Sequence, residues 1–296
     1  MTFGSGGQRS NPLSYGWKSG FAPAWQVGVY HAGSLSFNGK GCTRRTSKPP
    51  SVSQSRLRVL LTGAGGRIGP HILPTFRDRF ELRLLDRCSI PGHEPTILAD
   101  LSDPDVLRNA MEDIDVVVHL AATSDEAPFV EQLVPNNVVG LFHILDSARL
   151  AGVRRVVFAS TVQAVGFYPA GTTVQGSDVP RPVTLYGCTK ALGETMGRYY
   201  HDKFGLEFVA VRIGWFLDYD APQLRRFQGA RDVWLSPRDA AGILAAATET
   251  SGIGYCIANA TSITDFERLS RTECREQLGY EALDRVSDIP FAPDPS

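Results

Sequence analysis

The chain predicts an α/β fold: a doubly wound parallel sheet, helices on both faces, and a small C-terminal cap. Three observations predict it. The apolar run Arg58-Val59-Leu60-Leu61-Thr62 ends in a glycine-rich turn, Gly63-Ala64-Gly65-Gly66-Arg67-Ile68-Gly69. A second apolar run, Leu82-Arg83-Leu84-Leu85, ends in Asp86. From Leu57 onward, strand-like runs alternate with longer segments of helical period. That alternation is what βα units laid into one sheet require.

Residues 1–55 come first and stand apart. They are rich in Gly, Ser and aromatics and show no sustained period of 2 or 3.6. They carry six basic residues (Arg9, Lys18, Lys40, Arg44, Arg45, Lys48) and no Asp or Glu. We read them as disordered or loosely attached. An organellar transit segment and translated upstream sequence are the two other readings. Residues 56–296 form the folded part, its cap spanning about 214–296.

Within it, strand 57–62 leads to a helix at about 67–77. Pro70 suits its first turn, and Pro74 is expected to shorten or bend it. Strand 81–86 follows. A short third strand runs from about 96 to Ala99-Asp100-Leu101. Ser102 or Asp103 then caps a helix to about 112, with Pro104 at its first position. Asp115-Val116-Val117-Val118-His119-Leu120 is apolar almost throughout, as a strand buried on both faces must be. A long helix at about 129–151, a strand at 154–160, a Gly/Pro/Thr-rich loop at 166–183, a helix at about 184–204 and a strand at 207–213 complete the alternation. After Ile213 we expect a loop with Arg225 and Arg226, a helix at 237–249, a strand near 254–258 and a helix at about 264–278.

Composition narrows the function classes. The chain has 296 residues, 43% hydrophobic and 21% charged, as in ordinary soluble globular proteins. No apolar run approaches the ~20 residues of a membrane span. Basic and acidic residues number 30 and 31. With six of the bases in the acid-free start, the folded part is acidic, which argues against nucleic acid as a partner. Five cysteines form no C-x-x-C, so free thiols in a reducing compartment are the simpler reading. A cytoplasmic location is expected, with organellar import left open by the N-terminal segment. His, Cys and acids do not cluster at ligand spacing, so no metal is expected.

The glycines at 63, 66 and 69 each do something a side chain would obstruct. One allows the tight turn, one lets the backbone approach a pyrophosphate, and one lets the helix pack close to the sheet. The N–H groups at the start of that helix, around Arg67 and Ile68, would face phosphates. Asp86 is placed to accept hydrogen bonds from an adenosine ribose, and its charge favours NAD over NADP. Asp100 is expected to take a backbone or adenine-side role. Ligands in such sheets sit beyond the carboxyl ends of the strands, so Gly63, Asp86, Asp100, His119, Ser160 and Arg212 should line one crevice. His119 ends a buried strand and reads as a satisfied core histidine.

Tyr186 and Lys190 are four apart, so on a helix both face the same way. A tyrosine titrates near ~10 and is a poor base at neutral pH. An ammonium beside it, and a positively charged nicotinamide nearby, would favour the phenolate. The phenolate could then take a hydroxyl proton while hydride leaves the same carbon.

These residues resemble the extended short-chain dehydrogenases/reductases, the NAD-dependent epimerase/dehydratase family. Its marks are the Thr62-Gly63 glycine turn, His119-Leu120-Ala121-Ala122, Asn137, Ser160-Thr161 and Tyr186-x-x-x-Lys190. The resemblance covers about 57–280. It implies a Rossmann fold and bound NAD, held also by Leu101, Leu120, Ala121, Ala122 and Asn137. Tyr186 would be the acid/base, Lys190 would hold the ribose and tune that tyrosine, and Thr161, or else Ser160, would hydrogen-bond the reacting oxygen. Further segments (His119 to Ser124, Gly166-Phe167-Tyr168-Pro169, Asp202-Lys203-Phe204-Gly205, Val211-Arg212-Ile213-Gly214) are similar to the uronate dehydrogenases. Those enzymes oxidise the anomeric carbon of a sugar acid to a lactone with NAD.

In that likeness Ser124 contacts a sugar hydroxyl, and Arg225 or Arg226 grips the uronate carboxylate. The chain departs at two substrate positions: Val162 replaces an Asn and Trp215 a small polar residue. A homo-oligomer built on helices 129–151 and 184–204 is also implied. Two rival readings are carried. A nucleotide-sugar epimerase would need a larger C-terminal part. A non-catalytic dinucleotide sensor would not need the Tyr186–Lys190 pair. Dehydratases place an acidic pair beside the Thr, and here Val162-Gln163 follows Thr161.

Overall fold

The computed structural model describes residues 56–93 and 95–292. The readings made for residues 1–55 therefore lie outside the described residues. The chain alternates as expected: β1 (Arg58–Thr62), α1 (Gly69–Arg79), β2 (Glu81–Asp86), β3 (Thr96–Leu98), α2 (Pro104–Ala110) and β4 (Val116–His119). Then come α3 (Gly140–Leu150), β5 (Arg155–Thr161), α4 (Leu185–Phe204) and β6 (Glu207–Ile213). The cap contributes β7 (Trp215–Phe216), α5 (Pro222–Arg226), α6 (Gln228–Arg231) and β8 (Trp234–Leu235). After it, α7 (Pro237–Glu249) returns to the sheet, β9 (Tyr255–Ala260) joins it, and α8 is the short Thr272–Glu276.

Seven strands form one parallel sheet in the order β3-β2-β1-β4-β5-β6-β9. The order reverses between β1 and β4, and the crevice beyond their carboxyl ends is where such a sheet binds its ligand. Period-two alternation sorts the side chains onto two cores. Val59, Leu61, Val116 and Val118 face one core with Ile72 and Phe76 of α1 and Leu244 of α7. Leu60, Val117, Val156 and Phe158 face the other, with Leu107 of α2 and Leu141 and Ile144 of α3. Both faces are covered, which is why β4 and β5 read as continuous apolar runs.

Three expectations are corrected. Pro74 does not shorten α1, which runs eleven residues to Arg79. It sits at the sixth position of the helix, where its missing N–H removes a ladder bond without ending the helix. The first half of the expected helix 129–151 is wound wide, as a π-helix over Phe129–Val139. Pro135 sits inside it and has no N–H to offer the usual ladder; the Gly140 N–H bonds back to the Pro135 carbonyl, five residues away.

The helix expected at 264–278 shrinks to α8. Its first half is irregular instead, with one isolated bridge from Leu269 to Val174. The Val174 N–H donates to the Arg268 carbonyl and the Ser270 N–H to the Val174 carbonyl. Arg268 also donates to the carbonyls of Tyr168, Pro169 and Thr172. Pairing with the 166–183 loop thus overrides the local helical period.

In the cap, Trp215 pairs with Trp234 and Phe216 with Leu235. Trp234 packs with Leu224, Val286 and Ile289. Arg231 closes this cluster from inside by donating to the carbonyls of Leu224, Val286 and Ile289 and to Asp265. Among the described residues no helix is long and apolar enough to cross a membrane. The four described cysteines, Cys88, Cys188, Cys256 and Cys274, are unpaired.

Candidate active site

The glycine turn is shaped by the strands beside it. Gly63 has φ +72°, and a Cβ there would lie 2.4 Å from the Ala121 nitrogen. A side chain is excluded on both counts, so the loops after β1 and β4 can touch. A Cβ on Gly69 would meet the Ala64 carbonyl oxygen at 2.1 Å. Gly69 thus folds the start of α1 onto the turn and does not itself line the cleft, whereas Gly66, Arg67 and Ile68 do. No side chain caps α1 at Ile68 and no acid stands in its first turn. An uncapped helix start of this kind suits an anion.

Asp86 ends β2 and faces the turn. Its carboxylate accepts from the Gly65 N–H at 2.9 Å and the Cys88 N–H at 3.2 Å. Asp100 accepts from the Ser102 N–H at 2.9 Å, and that bond holds its carboxyl below the usual carboxylate range. Leu101, Leu120, Ala121 and Ala122 line the same cleft.

The chemical end is built by β5 and α4. Thr184 caps α4 by accepting from the Gly187 N–H at 2.9 Å, and its hydroxyl donates to the Gln163 side chain at 2.7 Å. The first turn of α4 is thereby fastened to the turn that follows β5. Tyr186 and Lys190 then face the end of that strand. The Lys190 ammonium is buried, donates to the Ala159 carbonyl at 2.8 Å, and lies 4.7 Å from the Phe158 ring centre and 5.7 Å from that of Tyr186. Burial lowers its pKa to about 7. Burial raises the Tyr186 phenol; Asp125 adds to the rise and Arg67 opposes it.

Ser160 and Thr161 are separated by the strand's alternation. The Ser160 hydroxyl donates to Glu194 at 2.6 Å, and Glu194 is paired with Arg212 at 2.9 Å, all three buried. Thr161 accepts from the Gln163 N–H at 3.2 Å. Both line the cleft, but Thr161 is the one not committed to a buried ion pair. His119 is sealed below, its Nδ1 2.7 Å from the Thr62 hydroxyl and its ring stacked on Phe158.

Besides Gly69, other sequence-predicted residues lie outside the lining: His119, Arg212, which is buried in its pair with Glu194, Asn137 and Arg225. The Asn137 amide does not line the cleft. It accepts from the Thr123 N–H and donates to the Thr123 carbonyl and the Thr189 hydroxyl, so it clamps the loop after β4 to α4. Its neighbour Asn136 lines the cleft instead. Arg225 is exposed on α5 and also lies outside the lining, which Gln223 reaches from the same helix. A five-residue helix turns the arginines away, and nothing in the loop's sequence signals that turn.

Ser124, Val162 and Trp215 line the cleft as expected, joined by Asp125 and Gln163. Those two follow Ser124 and Thr161 closely enough in sequence to have been found from them. The cleft measures about 1220 Å³, above the ~300–1,000 Å³ usual for one small molecule. Among the described residues no three His, Cys, Asp or Glu side chains gather as a metal site would need.

The chain is similar to known proteins in sequence and in fold. Residues 59–216 match the model of the NAD dependent epimerase/dehydratase family. The NAD-dependent glucose-6-phosphate dehydrogenase of Haloferax volcanii is 34% identical over 80% of this chain and 97% of its own. The uronate dehydrogenase of Pseudomonas syringae pv. tomato is 36% identical over 68% and 72%. Among solved structures, a mutant uronate dehydrogenase from Agrobacterium tumefaciens, complexed with NAD, superposes with TM-score 0.72 at 28% identity, covering 81% of this chain and 92% of that one. The turn at Gly63–Gly69, the carboxylate at the end of β2 and the Tyr186–Lys190 pair on α4 thus sit in a family context that both sequence and structure define: the chain belongs to the NAD-dependent epimerase/dehydratase family.

Proposed function

We propose that this cleft is the active site of an NAD-dependent sugar dehydrogenase that oxidises the anomeric carbon, with Tyr186 as general base. One observation carries the reading. Tyr186 and Lys190 line the cleft beside Thr161, at the end of the sheet where the glycine turn also opens. The residues present fit the cofactor: an uncapped helix start behind three glycines, a carboxylate at the end of β2, and a lysine buried beneath. NAD, when bound, supplies the hydride acceptor and, in its oxidised form, a positive charge beside the tyrosine.

The rest is done by this chain. Thr161 donates to the reacting oxygen and Tyr186 takes its proton as the carbon becomes a carbonyl. In the cofactor-free protein burial keeps the phenol protonated. Lys190, with the Ala159 carbonyl and the rings of Phe158 and Tyr186 for company, and Arg67 from the glycine turn supply the cationic help. Ser124, Val162 and Trp215 shape the substrate side. Arg67, Ile68, Asp86, Asp100, Leu101, Leu120, Ala121 and Ala122 flank the dinucleotide. We further propose that copies of the chain pair through α3 and α4.

The test is NADH production from a panel of aldoses and uronic acids. Net NADH is expected from at least one of them; an epimerase, which returns the hydride to its substrate, would accumulate none. Tyr186→Phe should lower kcat by about 10²–10⁴ while NAD affinity stays within a few-fold. A protein that binds NAD and yields NADH from no sugar would overturn the reading.

A further inference from the structure

We propose that the substrate is an uncharged sugar, and that the substrate side of the cleft selects against a uronate carboxylate or a sugar phosphate. This rests on the reading of the cleft as a sugar dehydrogenase. The first observation is where the cations stand. Among the described residues, the basic side chains lining the cleft are Arg67, Arg87, Lys190, His71 and His93. Arg67 lies in the glycine turn and Arg87 directly follows Asp86, on the side given to the dinucleotide. Lys190 is buried and donates to the Ala159 carbonyl. The His71 ring packs edge-on against Phe216, with its Nδ1 4.0 Å from Asp218.

The cap and the loops around it hold further arginines, and among the described residues none of them lines the cleft. Arg231 is bonded to three carbonyls and Asp265. Arg268 is bonded to three carbonyls of the 166–183 loop. Arg212 at the end of β6 is paired with Glu194. Arg225, on α5, does not line the cleft. Among the described residues these elements thus bring to the cleft no guanidinium fork, the group that would hold a carboxylate or phosphate bidentately.

The second observation is what replaces a cation. The substrate side is lined by Val162, Trp215 and Val233, with Ser124, Gln163 and Gln223 as neutral hydrogen-bonding groups. Trp215 is partly exposed and held by its N–H bond to the Val233 carbonyl and an edge contact with Phe227. Beside the buried Lys190 and the Arg67 of the glycine turn, the reacting end also carries an acid. Asp125 follows Ser124, accepts from the Gln163 amide at 3.4 Å, and outweighs Arg67 in its effect on the Tyr186 phenol. An anionic substituent on the sugar would lose its solvation against an indole and two valines and meet a like charge. Hydroxyl and methylene groups meet no such opposition, and a few neutral polar groups in an apolar lining are what such a ligand needs.

The experiment compares matched sugars at saturating NAD: glucose, glucuronate and glucose 6-phosphate, then galactose, galacturonate and 6-deoxygalactose. In each set every uncharged sugar should exceed every anionic one in kcat/KM by about tenfold or more. Asp125→Asn, which removes the like charge, should narrow that ratio several-fold. Anionic sugars turned over as well as neutral ones, or a ratio unmoved by Asp125→Asn, would overturn the proposal while leaving the dehydrogenase reading intact. NADH from none of the sugars would instead sink the dehydrogenase reading, and this proposal with it.

Discussion

Two basic side chains lie buried beneath the cleft, and among the described residues neither has a carboxylate partner: Lys190, bonded to the Ala159 carbonyl, and His119, bonded to Thr62. For His119 the consequence is a pH dependence of stability. Burial, reinforced by Lys190, lowers its pKa from 6.5 to about 3. Between those values the unfolded chain holds a proton that the folded protein excludes. Stability therefore rises with pH across the window and falls as pH drops through it, at about 1.4 kcal/mol per pH unit for one proton. Below pH 3 both states are protonated, above 6.5 both are neutral, and the slope vanishes. In denaturant titrations of the cofactor-free protein, the stability difference between wild type and His119→Asn should change at that slope inside the window; parallel curves would refute it. That His119 is a core residue is legible from the apolar strand it ends. That the Ser160 hydroxyl is taken by Glu194, 34 residues on, is not, because strand period gives a face and not a partner.

The elements themselves were largely readable. The ranges of β2, β6 and α7 match the expected ones, and β1, β4, β5, β9 and α4 differ by a residue or two at their ends. Strong period and clear caps explain this: Thr184 and Ser236 both accept from N–H groups of the helices they open. Short irregular pieces such as the 264–271 segment were not readable, since their conformation follows from long-range pairing. What registers α4 against the sheet is also long-range. Glu194 joins Ser160 of β5 to Arg212 of β6, with all three side chains buried. Removing one member of such a pair leaves an uncompensated charge and costs about 3–5 kcal/mol. Glu194→Gln should therefore lower unfolding stability by that amount. It should also lower kcat, because Tyr186 and Lys190 ride on the same helix. A variant within about 1 kcal/mol of wild type would show that α4 is held by its apolar contacts alone.

At the scale of the whole molecule, the α3–α4 pair carries a row of exposed apolar side chains. The two helices run side by side: Arg149 lies 4.9 Å over the Phe204 ring, and a Cβ on Gly193 would touch Leu141. Leu185, Leu192 and Tyr199 are exposed at seven-residue spacing along α4, on one face. Phe142 and Leu150 are exposed on α3. Monomeric proteins seldom leave apolar side chains grouped in this way. A two-fold pairing that sets α3 and α4 against their copies would cover them in a self-complementary four-helix contact. Light scattering should then report about twice the 32.2 kDa chain mass. Leu192→Glu, which puts a charge at the middle of the stripe, should shift the mass toward the monomer and make it concentration-dependent. The cleft opens at the carboxyl ends of the strands, and Leu192 is not among its lining residues. NADH production per chain should therefore survive the substitution to within a few-fold. A wild-type protein that remains monomeric at micromolar concentration would show that α3 and α4 do not pair.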